Sequence, residues 1–215
     1  MFVIALTLAG CGAAETDPDP EPAPRMGCTF DSRATAVPCG TAEDYFNSPA
    51  EHDALVGCTH VPGQTHVSDR GDLTDLSFLA GVQDVGRLTF FRNEQQISAD
   101  GLESLEHATR FGFNNMYALQ DISALGDLCQ VDEVLYVQGT RLETLDGLEG
   151  LRIVGDLTIQ FNEALTDISA LEGIEVVEGD LLIERNPALS QADAEALAQR
   201  LDVVGTISVL DNGEG

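Results

Sequence analysis

The sequence predicts a β-rich solenoid: a right-handed β-helix with one parallel sheet of about seven strands, an N-terminal capping helix and a C-terminal capping helix. Three observations carry that prediction. An aliphatic position recurs at a nearly constant interval, the hydrophobic period within each repeat changes from three to two, and an asparagine returns after most of the alternating stretches. A repeat of roughly 20–30 residues is too short to bury its apolar face alone and must stack on its neighbours.

The recurring position is Leu73, Ile97, Leu119, Leu142, Leu165 and Leu189, the numbers rising by 24, 22, 23, 23 and 24. One unit runs Leu142, Leu145, Leu148, Leu151, Val154, Leu157, Ile159 and Asn162, and the unit at Leu73 follows the same frame through Leu76, Leu79, Val82, Val85, Leu88, Phe90 and Asn93. A spacing of three suits tight turns lying against a core, whereas Leu157-x-Ile159 has the period of two that a strand requires. Each unit therefore contributes one short strand. These centre on Leu88/Phe90, Phe111/Phe113, Val134/Tyr136, Leu157/Ile159, Leu181/Ile183 and Ile207/Val209. Val61 to Val67 matches the form of Val177 to Ile183, one-residue insertion included, and supplies a seventh. Strands ~4.8 Å apart would give a sheet roughly 30 Å along the stack. The handedness of parallel crossovers makes the winding right-handed.

Asn93, Asn162, Asn186 and Asn212 follow their strands, Asn114 and Asn115 fall one step out of frame, and Gly139 takes the place in a further unit. Asn and Gly tolerate a left-handed backbone, and an Asn side chain satisfies main-chain groups at a corner. The expectation is a turn-forming scaffold ladder without catalytic function.

Bare core at either end of such a stack needs covering. Ser48-Pro49-Ala50-Glu51 reads as a capping box with Pro in the first turn, opening a helix through Asp53, Ala54, Leu55 and Val56. Ser190 opens a second helix whose Ala194, Leu197, Ala198 and Leu201 share one face, and the strand from Thr206 to Leu210 closes the chain.

The first residues, an apolar run ending Leu8-Ala9-Gly10-Cys11, resemble a bacterial lipobox, in which the signal peptide is cut before a cysteine that is then lipidated. No basic residue precedes the apolar run, which is short, so a start upstream of Met1 is expected. The run is also too short to span a bilayer as a helix. Residues 12 to 24 carry four prolines and four acids and no large apolar side chain, the composition of an extended, self-repelling tether. The expected division is a signal peptide over 1–10, a lipidated tether over 11–27, an N-terminal cap over 28–60, repeats over 61–188 and a C-terminal cap over 189–215. Gly12 in place of the aspartate that resembles an inner-membrane retention signal points to an exported protein of the outer membrane or cell surface.

Cys39-Gly-Thr, a helix, and then Gly57-Cys58-Thr-His-Val61-Pro-Gly resemble the opening of receptor L domains, the leucine-rich-repeat-like β-helices of insulin and growth-factor receptors. The phrases around Asp121-Ile-Ser-Ala-Leu125, Asp167-Ile-Ser-Ala-Leu171 and Asn186-Pro-Ala-Leu189 are similar to lipoprotein-borne bacterial versions of that fold. The resemblance covers residues 39 to 212 and speaks to fold more than to function. It implies a bond between Cys39 and Cys58, whose ~20-residue loop would stabilise the cap by about 3 kcal/mol in the chain-entropy model. Cys129 lies three units from Cys58, about 14 Å along the stack, beyond a disulfide's reach of under ~7 Å. It either pairs with Cys28 or stays free, an even cysteine set in an exported chain suggesting bridges.

Net charge is −27 and all ten basic residues are arginine, which disfavours nucleic acid and anionic lipid as partners. Carboxylates could hold calcium, but no EF-hand loop or Gly-rich nonapeptide repeat is present. His52, His60, His66 and His107 are scattered without zinc-ligand spacing, and no G-x-S-x-G, Walker loop, H-E-x-x-H or paired C-x-x-C occurs. No metal, cofactor or catalytic residue is expected. Arg70-Gly71-Asp72 reads as a turn between units.

Alternation places Phe91, Leu135, Val137 and Leu182 on the outward sheet face beside Thr89, Thr158, Gln160 and Glu184, with Arg87, Arg110 and Arg185 near its edges. Aromatic, aliphatic and arginine side chains together are what a recognition patch uses, although scattered surface apolar residues are also ordinary. The expected function is a monomeric, lipid-anchored envelope module that binds a protein or glycan through Phe91, Leu135, Val137, Gln160, Leu182 and Glu184. The alternative is a structural spacer lipoprotein without a discrete ligand, and a more remote one is an enzyme of unknown type.

Overall fold

The computed structural model describes residues 37–41, 44–46, 48–69, 73 and 76–214. The 1–10 and 11–27 segments with Cys11, as well as Cys28 and the tripeptide at 70–72, lie outside the described residues.

Among the described residues nine strands make one parallel sheet: β1 (Tyr45–Phe46), β2 (His60–Ser68), β3 (Asp84–Phe91), β4 (His107–Asn114), β5 (Gln130–Gln138), β6 (Ile153–Gln160), β7 (Val176–Val177), β8 (Leu181–Glu184) and β9 (Ile207–Leu210). They pair in chain order from β1 to β6, then β8 and β9, with β7 against the first part of β6. The strands from β3 to β7 begin at 84, 107, 130, 153 and 176, each 23 further along than the last. Between strands the chain turns back through short 3₁₀ segments, among them Ser77–Leu79, Ser123–Leu125 and Ser169–Gly173, each ending on or containing a buried leucine.

The three-residue spacing is the packing frame. In the unit from Leu142 to Ile159 the seven frame positions 142, 145, 148, 151, 154, 157 and 159 are all buried, each contributing about 1.5–3 kcal/mol of transfer free energy. Phe90, Phe111 and Phe113 stack and edge against one another inside, with ring centroids 5.2 to 6.3 Å apart. One repeat opener departs from expectation: Ile97 is 61% exposed, and Gln96 is buried in its place. The frame position is then 73, 96, 119, 142 and 165, again a step of 23. The reason is that the position stands three residues after an Asn or Met ladder residue, as Leu119 stands after Met116 and Leu165 after Asn162, so backbone geometry overrides hydrophobicity. Gln96 Nε2 donates to Ser98 O at 3.1 Å, and its Oε1 has no partner among the described residues.

The turn that follows each strand is made by the residue before the ladder position. Asp69, Arg92, Asn115, Gly139, Phe161, Arg185 and Asp211 all have φ between 51° and 63°. The ladder itself is Asn93, Met116, Thr140, Asn162, Asn186 and Asn212, which places Gly139 at the corner and Thr140 where Asn recurs elsewhere. Asn162 Nδ2 donates to Val137 O at 3.0 Å while its Oδ1 accepts from Thr140 N and Thr140 Oγ1; Asn186 and Asn212 repeat the arrangement one unit on. Gln191 ends the series. Its Nε2 donates to Val209 O and its Oε1 accepts from Asn212, the two tasks that an asparagine in a further unit would perform.

A second regularity runs along another edge of the units. Positions 98, 121, 144 and 167 alternate Ser, Asp, Thr, Asp, while 100, 123, 146 and 169 alternate Asp, Ser, Asp, Ser. Bridges Ser98–Asp121 and Thr144–Asp167 hold neighbouring units in register here. The alternation keeps like charges from facing directly across adjacent units, which would be destabilising.

Helix α1 (Pro49–Asp53) carries the expected capping box: Glu51 N donates to Ser48 Oγ, and Ser48 N to Glu51 Oε2 at 2.7 Å. It stops at Asp53, short of Val56, because the chain turns through Gly57 with φ 85°; Leu55 is buried and Val56 exposed. Cys39 and Cys58 are disulfide-bonded with Cα atoms 5.8 Å apart. Helix α2 (Gln191–Arg200), capped by Ser190, buries Ala194, Leu197 and Ala198, with Leu201 buried just beyond it.

Candidate functional site

The outward sheet face carries three in-register rows of side chains, the first of them Gln64, Arg87, Arg110, Val134 and Asp156. The second runs His66, Thr89, Gly112, Tyr136, Thr158, Leu182, Ser208, and the third Ser68, Phe91, Asn114, Gln138, Gln160, Glu184, Leu210. Phe91, Gln160, Leu182 and Glu184 sit there, half-buried, as the alternation implied.

Leu135 and Val137 do not. Both are buried, 0% and 1% exposed, and point into the core, while Val134 and Tyr136 face outward. The strand centre expected at Val134/Tyr136 is thus shifted by one residue. The cause is an extra residue in β5: Val131 pairs with Val154 but Val134 with Asp156, so the register slips between them. A one-residue slip sends every later side chain to the other face. The signal was present, because Val131 stands four residues before Leu135, as Val61 stands before Thr65 and Val177 before Leu181.

Tyr136 is the residue that the correction brings into the site. Its ring lies across the neighbouring strand over Gly112, where an added Cβ would come within 2.6 Å of Cδ2 and 2.7 Å of Cε2. Gly112 is the sole glycine of its row, and the missing Cβ leaves the Tyr136 ring its place there. Burial pushes the Tyr136 phenol above its usual pKa, opposed by a hydrogen bond with Thr89 and by the charge of Arg110. The ring thus reaches from β5 across to β4.

Beside it, Gln138 Nε2 donates to Gln160 Oε1 at 3.1 Å, Gln160 Nε2 to Glu184 Oε2 at 3.0 Å, and Ser208 Oγ to Glu184 Oε1. Arg87 and Arg110 converge on Glu133 at 3.3 and 3.0 Å, a half-exposed group in which each pair adds little stability. At the corner after the strands, the Arg92 guanidinium lies 4.7 Å from the Phe91 ring centroid and that of Arg185 5.2 Å from Phe161. Tyr117 is exposed nearby in sequence and donates its hydroxyl to Asn115 Oδ1.

A second cluster lies at the start of the strands. Asp84, 7% exposed, accepts His107 Nδ1 at 2.7 Å on one side and contacts His60 Nδ1 on the other, and His107 Nε2 faces Asp132 at 3.1 Å. Burial lowers the His107 pKa, but its bonds to Asp84 and Asp132 and their charges outweigh it, leaving the imidazole above 6.5. With both ring nitrogens on carboxylates, the doubly protonated form fits best. Among the described residues no three His, Cys, Asp or Glu side chains are grouped so as to hold a metal ion. Cys129 is disulfide-bonded, its partner lying outside the described residues. The Cys39–Cys58 bridge fits an oxidising, exported environment.

Compared with protein-family models and with curated proteins, the chain has no match.

Proposed function

We propose that this chain is a recognition module of the cell envelope, a right-handed β-helix solenoid of the receptor L-domain kind that is anchored by a lipid on Cys11 and binds a protein or glycan through its outward sheet face. The observation that carries the reading is the layout of that face. A parallel sheet sets Phe91, Tyr136, Gln138, Gln160 and Glu184 in rows at a fixed strand spacing, on a rigid support. Rigid presentation of aromatic and amide groups lowers the entropy lost on binding. In this reading the acidic tether over 11–27 holds the folded part away from the membrane, and the protein works as a monomer, without cofactor and without catalysis.

One observation favours the spacer alternative. Gln138, Gln160, Glu184 and Ser208 already bond to one another, as a face with no ligand would arrange its polar groups.

Capture of partners from envelope extracts by wild type and by the Phe91→Ser/Tyr136→Ala double variant separates the two. Loss of a captured partner supports recognition through this face; an unchanged set of captured partners rejects it. Metabolic labelling with a lipid probe should mark the wild type and not Cys11→Ser, and equal labelling would remove the anchor.

A further inference from the structure

We propose that Asn212 is a site of spontaneous deamidation, held shut by the fold and exposed when β9 opens, so that the last rung of the ladder is lost once and not restored. The proposal is independent of how the outward face is used.

The fold requires both members of the labile pair. Asparagine is needed at 212 because its Nδ2 donates to Ile183 O at 2.9 Å, while its Oδ1 accepts from Asn186 N at 3.2 Å and from Asn186 Nδ2 at 3.1 Å. Glycine is needed at 213 because a Cβ there would come within 2.4 Å of Pro187 O. Asn212 is thereby the only asparagine of the chain that precedes a glycine. Asn93 and Asn162 precede glutamate, and Asn186 precedes proline, whose nitrogen carries no hydrogen. A side chain on the following residue obstructs ring closure, and glycine has none.

In an open chain the deprotonated Gly213 nitrogen attacks Asn212 Cγ. The new N–Cγ bond closes a succinimide ring, the Cγ–Nδ2 bond breaks, and Nδ2 leaves as ammonia after taking a proton from the solvent. Water then opens the ring at either carbonyl, giving aspartate or isoaspartate. Overall, water is consumed and ammonia released, with no oxidation or reduction.

In the folded chain both reacting groups are tied down. Gly213 N donates to Leu189 O at 2.6 Å, Gln191 N donates to Gly213 O at 2.8 Å, and Asn212 Nδ2 donates to Gln191 Oε1 at 3.1 Å as well as to Ile183 O. Attack therefore waits for the segment to lift. Strand β9 is placed to do so, because among the described residues it pairs in the sheet with β8 alone, and Ile207 and Leu210 are 49% and 57% exposed. Such edges open at lower free energy than the whole domain.

Once formed, a carboxylate at 212 faces Ile183 O and Gln191 Oε1, two acceptors, with no hydrogen to give either. Gln191 satisfies it only by turning its amide away from Val209 O. Isoaspartate adds a carbon to the main chain and displaces Gly213 from its bridge with Ser190. Both products disfavour reclosure, so the step runs one way.

The test incubates the full-length protein in mildly alkaline buffer and follows the tryptic peptide 201–215 by mass spectrometry, reading the mass gain of amide-to-carboxyl exchange and separating aspartate from isoaspartate by chromatography. In unfolding urea the wild type should react at least about tenfold faster than when folded, since no opening step remains. Gln191→Ala should raise the folded-state rate several-fold and leave the rate in urea unchanged. Asn212→Asp should unfold at a lower urea midpoint than the wild type. Should Gln191→Ala lose the wild-type circular dichroism spectrum, the wild type in urea below its unfolding transition takes its place, and modification should accelerate before the spectrum changes. The proposal is overturned if folded and unfolded rates are equal, if Asn212 keeps its amide in urea, or if folded Gln191→Ala reacts no faster than the wild type. Acceleration that only accompanies global unfolding, or an unchanged midpoint for Asn212→Asp, overturns it equally.

Discussion

Truncating one rung of the asparagine ladder should cost the protein a large part of its stability. Asn162 is fully buried. Its side chain receives the Thr140 N–H at 3.0 Å and the Thr140 hydroxyl at 2.7 Å, and donates to the Val137 carbonyl at 3.0 Å. Asn162→Ala removes these bonds and the 3.2 Å bond from its Nδ2 to Asn186 Oδ1, taking from the Thr140 N–H, the Thr140 hydroxyl hydrogen and the Val137 carbonyl the partner that Asn162 gave them. Each such group costs about 1–3 kcal/mol, so the sum is roughly 3–7 kcal/mol, with the Thr140 hydroxyl at the low end because it rotates and still accepts from Leu142 N. Domains of ordinary stability hold about 5–15 kcal/mol in total. Urea unfolding followed by far-UV circular dichroism measures the difference, with Asn114→Ala as control, because Asn114 is half-buried on the outward face and should change stability by only about 0.5 kcal/mol. A loss below about 1 kcal/mol for Asn162→Ala would refute the reasoning, since it would mean that the ladder bonds are replaced at once by water or by neighbouring groups.

Leu135→Ser should destabilise by at least about 3 kcal/mol, from a buried cavity and an added hydroxyl, whereas Phe91→Ser should cost far less; equal unfolding midpoints for the two would restore Leu135 to the surface. Gln191→Ala should loosen β9 selectively, leaving Val209 O and Asn212 without their partner, and hydrogen exchange should show faster amides in 207–212 than in 153–160. The His107 pKa is raised, so its contribution is complete below 6.5 and is lost as pH rises through the higher folded value. Unfolding midpoints should therefore fall from mildly acidic to mildly alkaline buffer in the wild type and much less in His107→Gln; parallel slopes would reject the contribution. Asp121 and Asp167 act in the opposite direction, their carboxyls being lowered below 3.8 by the main-chain and side-chain groups of Ser123 and Ser169. Their contribution is present above 3.8 and is lost as pH falls through the lower folded values, so Asp121→Asn/Asp167→Asn should flatten the acid limb of the stability curve.

Sequence reading reached furthest where a rule is local. The capping box at Ser48 and Glu51 needs two side chains three residues apart, and the inward pairs Leu88/Phe90 and Leu157/Ile159 need only a period of two. It failed at β5 because the strand holds one residue more than its neighbours, and hydrophobicity does not say where that residue is absorbed. By alternation within the strand Val134/Tyr136 and Leu135/Val137 are equally plausible inward pairs, and only the four-residue spacing from Val131, shared with Val61/Thr65 and Val177/Leu181, favours the second. The frame was also misplaced at Ile97, where a hydrophobic residue beside a buried glutamine was the better guess from composition.

The chain's own order of residues was enough to establish a short repeating unit of nearly constant length, a strand in each, the two helical caps and an acidic surface, because periodicity and capping act between residues close in sequence. Which face Tyr136 occupies, how Gly112 makes room for it, and how Asn162 meets Thr140 and Val137 were decided by tertiary structure. Those groups stand a whole unit apart along the chain, and only hydrogen-bonded register between neighbouring strands brings them side by side. The fixed inward rows of β4 and β6 leave β5 one way to pair, and the extra residue is expelled into the bulge between Val131 and Val134.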